Sequence, residues 1–194
     1  MNQRTINDLI HIQQQKLAFY SVFNNKNPFG RMFNNADDQK IILCPIDGYC
    51  LNQKQFNALL VVIKTIGEIS FYVTEIEGDC FFENANTMEY DRLGHWEFDN
   101  KISYEEYTNM PIIFENALYS KNGTWGIIIS HENHAVISGS NDFIELFKDL
   151  YSGWIQDFKN FIEMWKYNKN HYNSNLSWLP DFLEYINSKN LHEN

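Results

Sequence analysis

Apolar residues near the N-terminus recur at a helical spacing. Thr5 and Asp8 form a capping signature just before this stretch. At 100° per residue, one stripe gathers Ile6, Leu9, Ile10, Leu17 and Tyr20. The pattern predicts an amphipathic N-terminal helix whose buried face is this stripe.

A second helix is predicted near 52–66. Asn52 and Gln55 have the spacing of a capping box, in which each side chain accepts a hydrogen bond from the backbone amide of the other residue. Gly67 follows the last apolar position and can adopt the left-handed conformation that ends a helix.

The strongest local signal is a hairpin within 112–130. Asn122 and Gly123 are the pair best suited to a two-residue turn with positive φ. In that register Tyr119 faces Gly126, so we expect the ring to lie across the bare backbone. β-branched and aromatic residues predict further strands at 40–45, 68–76 and 134–138, and Pro45 either ends the first of them or places it at an edge of the sheet.

The last third of the chain is helical by pattern. One apolar stripe runs through 141–167 and keeps its phase across Gly153, which predicts one long helix or two nearly collinear ones. Ser140 is placed to cap its start, and Pro180 begins a short final helix.

These elements define an α+β protein. We expect a mostly antiparallel sheet around the hairpin, covered by the N-terminal helix, the helix near 52–66 and the long helical segment at 141–167. The 194 residues fit one domain, 1–194. The polar stretches 24–38 and 187–194 are the segments expected to be mobile.

The net charge of the chain indicates which classes of macromolecule it can bind. Fifteen Lys and Arg against 25 Asp and Glu give a net charge of −10, which repels nucleic acid and favours encounter with a basic protein. The first 25 residues carry no secretion signal and no apolar run approaches a membrane span, so a cytoplasmic protein is expected. The odd number of cysteines (Cys44, Cys50, Cys80) favours free thiols over disulfides.

One region combines carboxylates with aromatic rings. Such a combination is typical of a surface that binds a cationic protein. The alternative is an irregular loop whose rings turn inward. The partner-binding candidates are Glu75, Glu77, Asp79, Glu83, Tyr90 and Trp96.

A metal site is the main catalytic alternative. His131 and His134 lie three residues apart, and Glu132, His95 or Asp79 could complete a ligand set for a metal-dependent hydrolase. The pair falls between two predicted strands, where exposed turn histidines explain it equally. Fingerprints of serine hydrolases, P-loops and dinucleotide sites are absent, which favours a protein without catalysis or cofactor.

The run from Glu115 to Ser130 (ENALYSKNGTWGIIIS), together with that from His134 to Ile144 (HAVISGSNDFI), resembles bacterial immunity proteins. These are encoded beside the toxins of polymorphic-toxin and contact-dependent inhibition systems. The resemblance implies a protein that binds and neutralises a cognate toxin and has no catalysis of its own. The metal-dependent hydrolase and a regulatory or scaffold subunit stay open beside it.

Overall fold

Seven antiparallel strands form a single sheet in the computed structural model, which describes residues 4–5, 9–77 and 94–187, with side chains for 11–77 and 94–186. The spatial order of the strands is β1-β4-β3-β5-β6-β7-β2. Their bounds are β1 Arg4–Thr5, β2 Gln39–Leu43, β3 Ser70–Glu75, β4 His95–Asp99, β5 Asn116–Ser120, β6 Trp125–Ser130 and β7 His134–Gly139. The sheet and its helices confirm the predicted α+β class.

Helices cover both faces of the sheet. Their bounds are α1 Leu9–Val22, α2 Gln53–Thr65, α3 Tyr104–Thr108, α4 Asn141–Leu150, α5 Trp154–Tyr172 and α6 Leu179–Asn187. Side chains of α2, α3 and α4 share one core cluster with the first face, and those of α1, α5 and α6 share a second cluster with the other. Strand β4 and helix α3 are elements that the sequence patterns did not predict.

The hairpin has the predicted register, with Tyr119 paired to Gly126. Gly123 has φ +75, whereas Asn122 is not in the left-handed region, so only one of the two turn residues has the expected conformation. Helix α1, rather than the Tyr119 ring, fills the space over Gly126. A Cβ there would lie 2.5 Å from Val22 Cγ1 and 2.6 Å from Phe23 Cζ, so any larger residue would displace α1.

Helix α1 presents a different face to the sheet from the predicted one. Leu17 is 72% exposed and Tyr20 39% exposed, and Thr5 lies in strand β1 instead of capping the helix. The side chains of Ile6, Leu9 and Ile10 lie outside the described ones. The buried positions of the helix are Ile12, Gln15, Ala18, Phe19 and Val22, and Phe23, which follows the helix, is buried as well. A buried polar residue sits in the middle of this face, and apolar periodicity cannot detect it.

Helix α2 begins as predicted. Asn52 accepts hydrogen bonds from the Lys54 and Gln55 amides, and the Gln55 side chain accepts one from the Asn52 amide. Gly67 follows the helix with φ +81. The capping box therefore fixes the start of this helix.

The stripe at 141–167 belongs to two helices on opposite faces of the sheet, so the prediction of one continuous or collinear helix is wrong. Phe143 and Phe147 of α4 pack with α2, whereas Phe161 and Trp165 of α5 pack with α1 and α6. Both helices contact β2, so the chain passes around this edge strand between them. The helical periodicity of the apolar residues therefore continues across Gly153 in the sequence, although the two helices cover opposite faces of the sheet.

The described cysteines are buried and free. Burial, with the nearby Asp157 carboxylate, raises the pKa of Cys44 to about 12, and burial raises that of Cys50 to about 11. Both thiols are therefore protonated and unreactive at neutral pH. Cys80 and the polar tail at 188–194 lie outside the described residues. Within the described chain, no helix combines the length and apolar character needed to cross a bilayer.

Candidate functional site

Carboxylates and a histidine at the ends of three neighbouring strands meet at one end of the sheet. Glu75 ends β3, Glu115 precedes β5, and His131 follows β6. Because β3 pairs with β5 and β5 with β6, these positions lie side by side. We name this end, formed by Glu75, Glu77, Glu115, His131 and Glu132, the acidic edge.

Two carboxylates of the acidic edge are buried and held by hydrogen bonds. Glu75 is 5% exposed and accepts a bond of 2.8 Å from the Ile113 amide. Burial raises the pKa of the Glu75 carboxyl, against the hydrogen bonds that lower it. Glu115 is equally buried, and its Oε1 accepts from Ser130 Oγ at 3.0 Å and from the His131 amide at 3.1 Å. These bonds fix the positions of both side chains.

His131 joins the buried and exposed parts of the edge. Its Nδ1 lies 2.7 Å from Glu115 Oε1, and its Nε2 lies 3.4 Å from Glu132 Oε1. The ring is half exposed and the Glu132 side chain is partly exposed. In the described part of the chain, His131 is the one basic side chain within 4 Å of these carboxylates.

The predicted metal pair is separated. His134 is fully buried on the α1, α5 and α6 face, where its ring packs 5.1 Å from that of Phe29 and 5.0 Å from that of Phe161. Burial lowers the pKa of His134 to about 4, so the ring is neutral at pH 7. His95, on β4, is buried beside Thr74 of β3. The His131 and His134 set is therefore not a metal centre; His134 is a core residue.

A different set of potential ligands meets at the acidic edge. One ligand atom each from Glu77, Glu115 and His131 lie within 4.8 Å of one another. A cation bound through Nδ1 of His131 would replace that nitrogen's hydrogen bond to Glu115. The group thus offers three ligand atoms to a cation, and two of its members, Glu115 and His131, are hydrogen-bonded to each other.

The candidate partner-binding residues fall into three groups. Glu75 and Trp96 are each 5% exposed, so neither side chain presents a surface to a partner. Glu77 is partly exposed and belongs to the acidic edge. The remaining three, Asp79, Glu83 and Tyr90, lie outside the described residues.

The position of Glu115 beside His131 could have been predicted from the register of the hairpin, although the residues around Glu115 do not indicate it. The register that pairs Tyr119 with Gly126 also places Glu115 opposite Ser130, next to His131. The hairpin prediction alone was thus sufficient to bring this carboxylate to the histidine. Glu77 reaches them through the β3–β5 pairing, which has no local sequence signal.

An exposed apolar side chain flanks the acidic edge. Ile113 is 63% exposed, and its amide is the one bound to Glu75. The edge therefore offers negative charge, held in place by buried groups, beside an apolar contact. Such a surface can bind cationic side chains of a protein and exclude water around them.

The fold and the site define an acidic α+β protein with a carboxylate-rich sheet end. Comparison of this chain with protein-family models, curated proteins and solved structures found no match.

Proposed function

We propose that this protein binds a basic protein partner through the acidic edge and acts as an immunity protein that neutralises a cognate toxin. The observation that carries the proposal is the convergence of four carboxylates at one end of the sheet, of which Glu77 and Glu132 are accessible and Glu115 is hydrogen-bonded to the half-exposed His131.

Electrostatics supports a protein partner with clustered Lys or Arg. The net charge of −10 speeds encounter with a cationic molecule, and the effect weakens as salt screens it. Glu77 and Glu132 are accessible enough to pair with an incoming cation. Glu115 is buried and fixes the position of the half-exposed His131 through hydrogen bonds, so less of this surface has to be ordered on binding.

The toxin-neutralising role is supported by the resemblance to immunity proteins. The first of the two runs that carry this resemblance begins at Glu115 of the acidic edge and ends at Ser130, which donates a hydrogen bond to Glu115. A protein that blocks a toxin by contact needs a complementary surface and no reacting groups.

The test is co-expression with the product of the neighbouring gene. We expect that product to arrest growth when expressed alone, and this protein to restore growth and to form a stoichiometric complex with it. Absence of both rescue and complex, at micromolar concentration and low salt, contradicts the proposal.

A second candidate, a metal-dependent hydrolase, is favoured by one observation, the convergence of Glu77, Glu115 and His131. Carboxylate and imidazole ligands suit Zn²⁺ or Mn²⁺, and a bound ion would activate water. Elemental analysis of untagged protein and a Zn²⁺ titration test it. Binding that is lost in His131→Ala and Glu77→Gln, and kept in the exposed control His171→Ala, supports this candidate. Metal-free protein with no Zn²⁺ affinity excludes it.

A further inference from the structure

The turn between β6 and β7 carries two polar groups that face each other without a hydrogen bond. His131 Nε2 lies 3.4 Å from Glu132 Oε1, whereas a charge-assisted bond between such groups is about 2.7–2.9 Å long. Among the described residues, no hydrogen bond reaches this nitrogen. The ring is half exposed and the Glu132 side chain is 41% exposed. The space between the two atoms is therefore open to a ligand from the solvent.

The other ring nitrogen determines where the proton of the imidazole lies. Nδ1 of His131 is 2.7 Å from Glu115 Oε1, and because a carboxylate can only accept, Nδ1 carries the proton. In the neutral ring, Nε2 then presents its lone pair to the Glu132 carboxylate. Two such groups repel each other unless a cation lies between them. Metal-binding histidines have the same arrangement, in which one nitrogen binds the ion and the other donates to a carboxylate.

Hydrogen bonds to buried groups hold the backbone of this turn. Glu115, which is 5% exposed, accepts from the His131 amide at 3.1 Å. Ser130 Oγ donates to Glu115 at 3.0 Å and accepts from the Glu132 amide at 3.1 Å. The main chain of both facing residues is thus fixed by the same buried pair, which lowers the cost of ordering them around an ion.

The separation of the two facing atoms indicates which ion fits. Zn²⁺ binds imidazole nitrogen at about 2.0–2.1 Å and carboxylate oxygen at about 2.0–2.2 Å, which in a tetrahedral site places two ligand atoms about 3.4 Å apart. The observed separation is 3.4 Å. Mg²⁺ and Ca²⁺ prefer oxygen ligands, so the imidazole disfavours them. We infer that His131 Nε2 and Glu132 bind one Zn²⁺ while the bond to Glu115 orients the ring. Two coordination positions are left for water or for a side chain of a partner.

This pair of ligands differs from the set that favours the hydrolase. Glu77 is not a ligand, and Glu115 holds the ring instead of the ion. Bound zinc would occupy one of the accessible carboxylates of the acidic edge and reduce its negative charge. Zinc is therefore expected to oppose the binding of a basic partner. This consequence rests on the proposed function, whereas the zinc site itself does not.

The test is calorimetric titration of zinc chloride into the untagged full chain at neutral pH. We expect one Zn²⁺ per chain, and binding at least tenfold weaker in His131→Gln and in Glu132→Gln. Glu77→Gln makes the same change in charge at the acidic edge and should stay within threefold of the wild type. His171→Gln, which replaces an exposed histidine of α5, should do the same. Magnesium chloride should not bind at this site.

Proton–nitrogen correlation NMR of the His131 ring identifies the nitrogen that binds the ion. Zinc should shift the Nε2 resonance while Nδ1 keeps its proton. The inference is overturned if folded wild-type protein binds no zinc, or if His131→Gln or Glu132→Gln binds it as tightly. Equal losses in Glu77→Gln and Glu132→Gln also overturn it, because they would indicate attraction to the charge of the edge. Loss of binding in His171→Gln would place the zinc elsewhere.

Discussion

The two faces of the sheet bury polar groups in different places. On the face covered by α2, α3 and α4, the strand centres are apolar, as at Val73, Leu118 and Ile127. On the face covered by α1, α5 and α6, a hydrogen-bonded group lies at the centre. It consists of Gln15, Thr74 and Tyr119, with Gln15 Nε2 2.9 Å from Thr74 Oγ1 and Thr74 Oγ1 2.8 Å from the Tyr119 hydroxyl.

This difference between the two faces determines whether apolar periodicity identifies the buried side of a helix correctly. Where a helix covers apolar strand centres, its buried residues are apolar and the periodicity identifies them. Where a helix must also satisfy buried polar groups, as Gln15 of α1 does, the apolar stripe gives the wrong face. The following predictions test this contrast, from the largest expected effect to the smallest.

The largest loss of stability is expected at a buried leucine of α2, and an exposed leucine of α1 provides the comparison. Leu59 of α2 is fully buried, so Leu59→Ala should lower the free energy of unfolding by about 2–5 kcal/mol. Leu17 of α1 is 72% exposed, and Leu17→Ala should change it by less than about 0.5 kcal/mol. Chemical denaturation measures both. Equal losses would mean that α1 packs on the predicted stripe after all.

His134 should make stability depend on pH. Its pKa is lowered from 6.5 to about 4 by burial, so the folded state binds fewer protons than the unfolded state between these values. Its contribution is fully present above the unfolded pKa and is lost as the pH falls toward 4, by about 3 kcal/mol in total.

The measurement is the difference in pH dependence between the wild type and His134→Leu. Glu75 and Asp157, whose pKa values are raised by burial, shift stability in the opposite direction, and the subtraction removes them. Unfolding free energies with parallel pH profiles would contradict the buried neutral ring.

Adjacent glutamines of α1 provide the sharpest test of the polar group. Gln15 is fully buried and also donates to the Val73 carbonyl at 3.1 Å, so Gln15→Ala should cost about 1–3 kcal/mol. Gln14 is exposed, and Gln14→Ala should change stability by less than about 0.5 kcal/mol. Similar values for the two variants would refute the placement of Gln15.

The smallest effect concerns the cap of α2. Asn52→Ala removes the acceptor for two amides and should cost about 1 kcal/mol. Asn57, exposed within the same helix, is the control, and Asn57→Ala should stabilise by a few tenths of a kcal/mol, about the difference in helix propensity. Thermal unfolding of both variants distinguishes a cap from a general preference for Ala.

Sequence patterns correctly predicted the parts of the fold that depend on residues close together in the sequence. The α2 capping box and the Tyr119–Gly126 register depend on residues close in sequence, and both are confirmed. Where the chain changes face between α4 and α5, the Tyr151 hydroxyl donates to Asp157 at 2.8 Å, and Gln55 of α2 donates to the same carboxylate. No periodicity contains such a contact.

The same distinction applies to the candidate site. Glu115 and His131 could be brought together by extending the hairpin register, because both belong to one local pairing. Glu75 and Trp96 could be recognised as acidic and aromatic, but their burial follows from long-range strand pairing and packing. Composition therefore pointed to residues at this end of the sheet and could not sort its exposed side chains from its buried ones.

Calorimetric titration of the neighbouring gene's toxin into this protein, comparing two charge-reversed variants, tests the central claim most directly. Glu77→Lys with Glu132→Lys reverses the acidic edge. Asp149→Lys with Glu163→Lys makes the same change in net charge on the exposed sides of α4 and α5. We predict at least tenfold weaker binding for the first variant and less than threefold for the second. Equal affinities would contradict binding through the acidic edge.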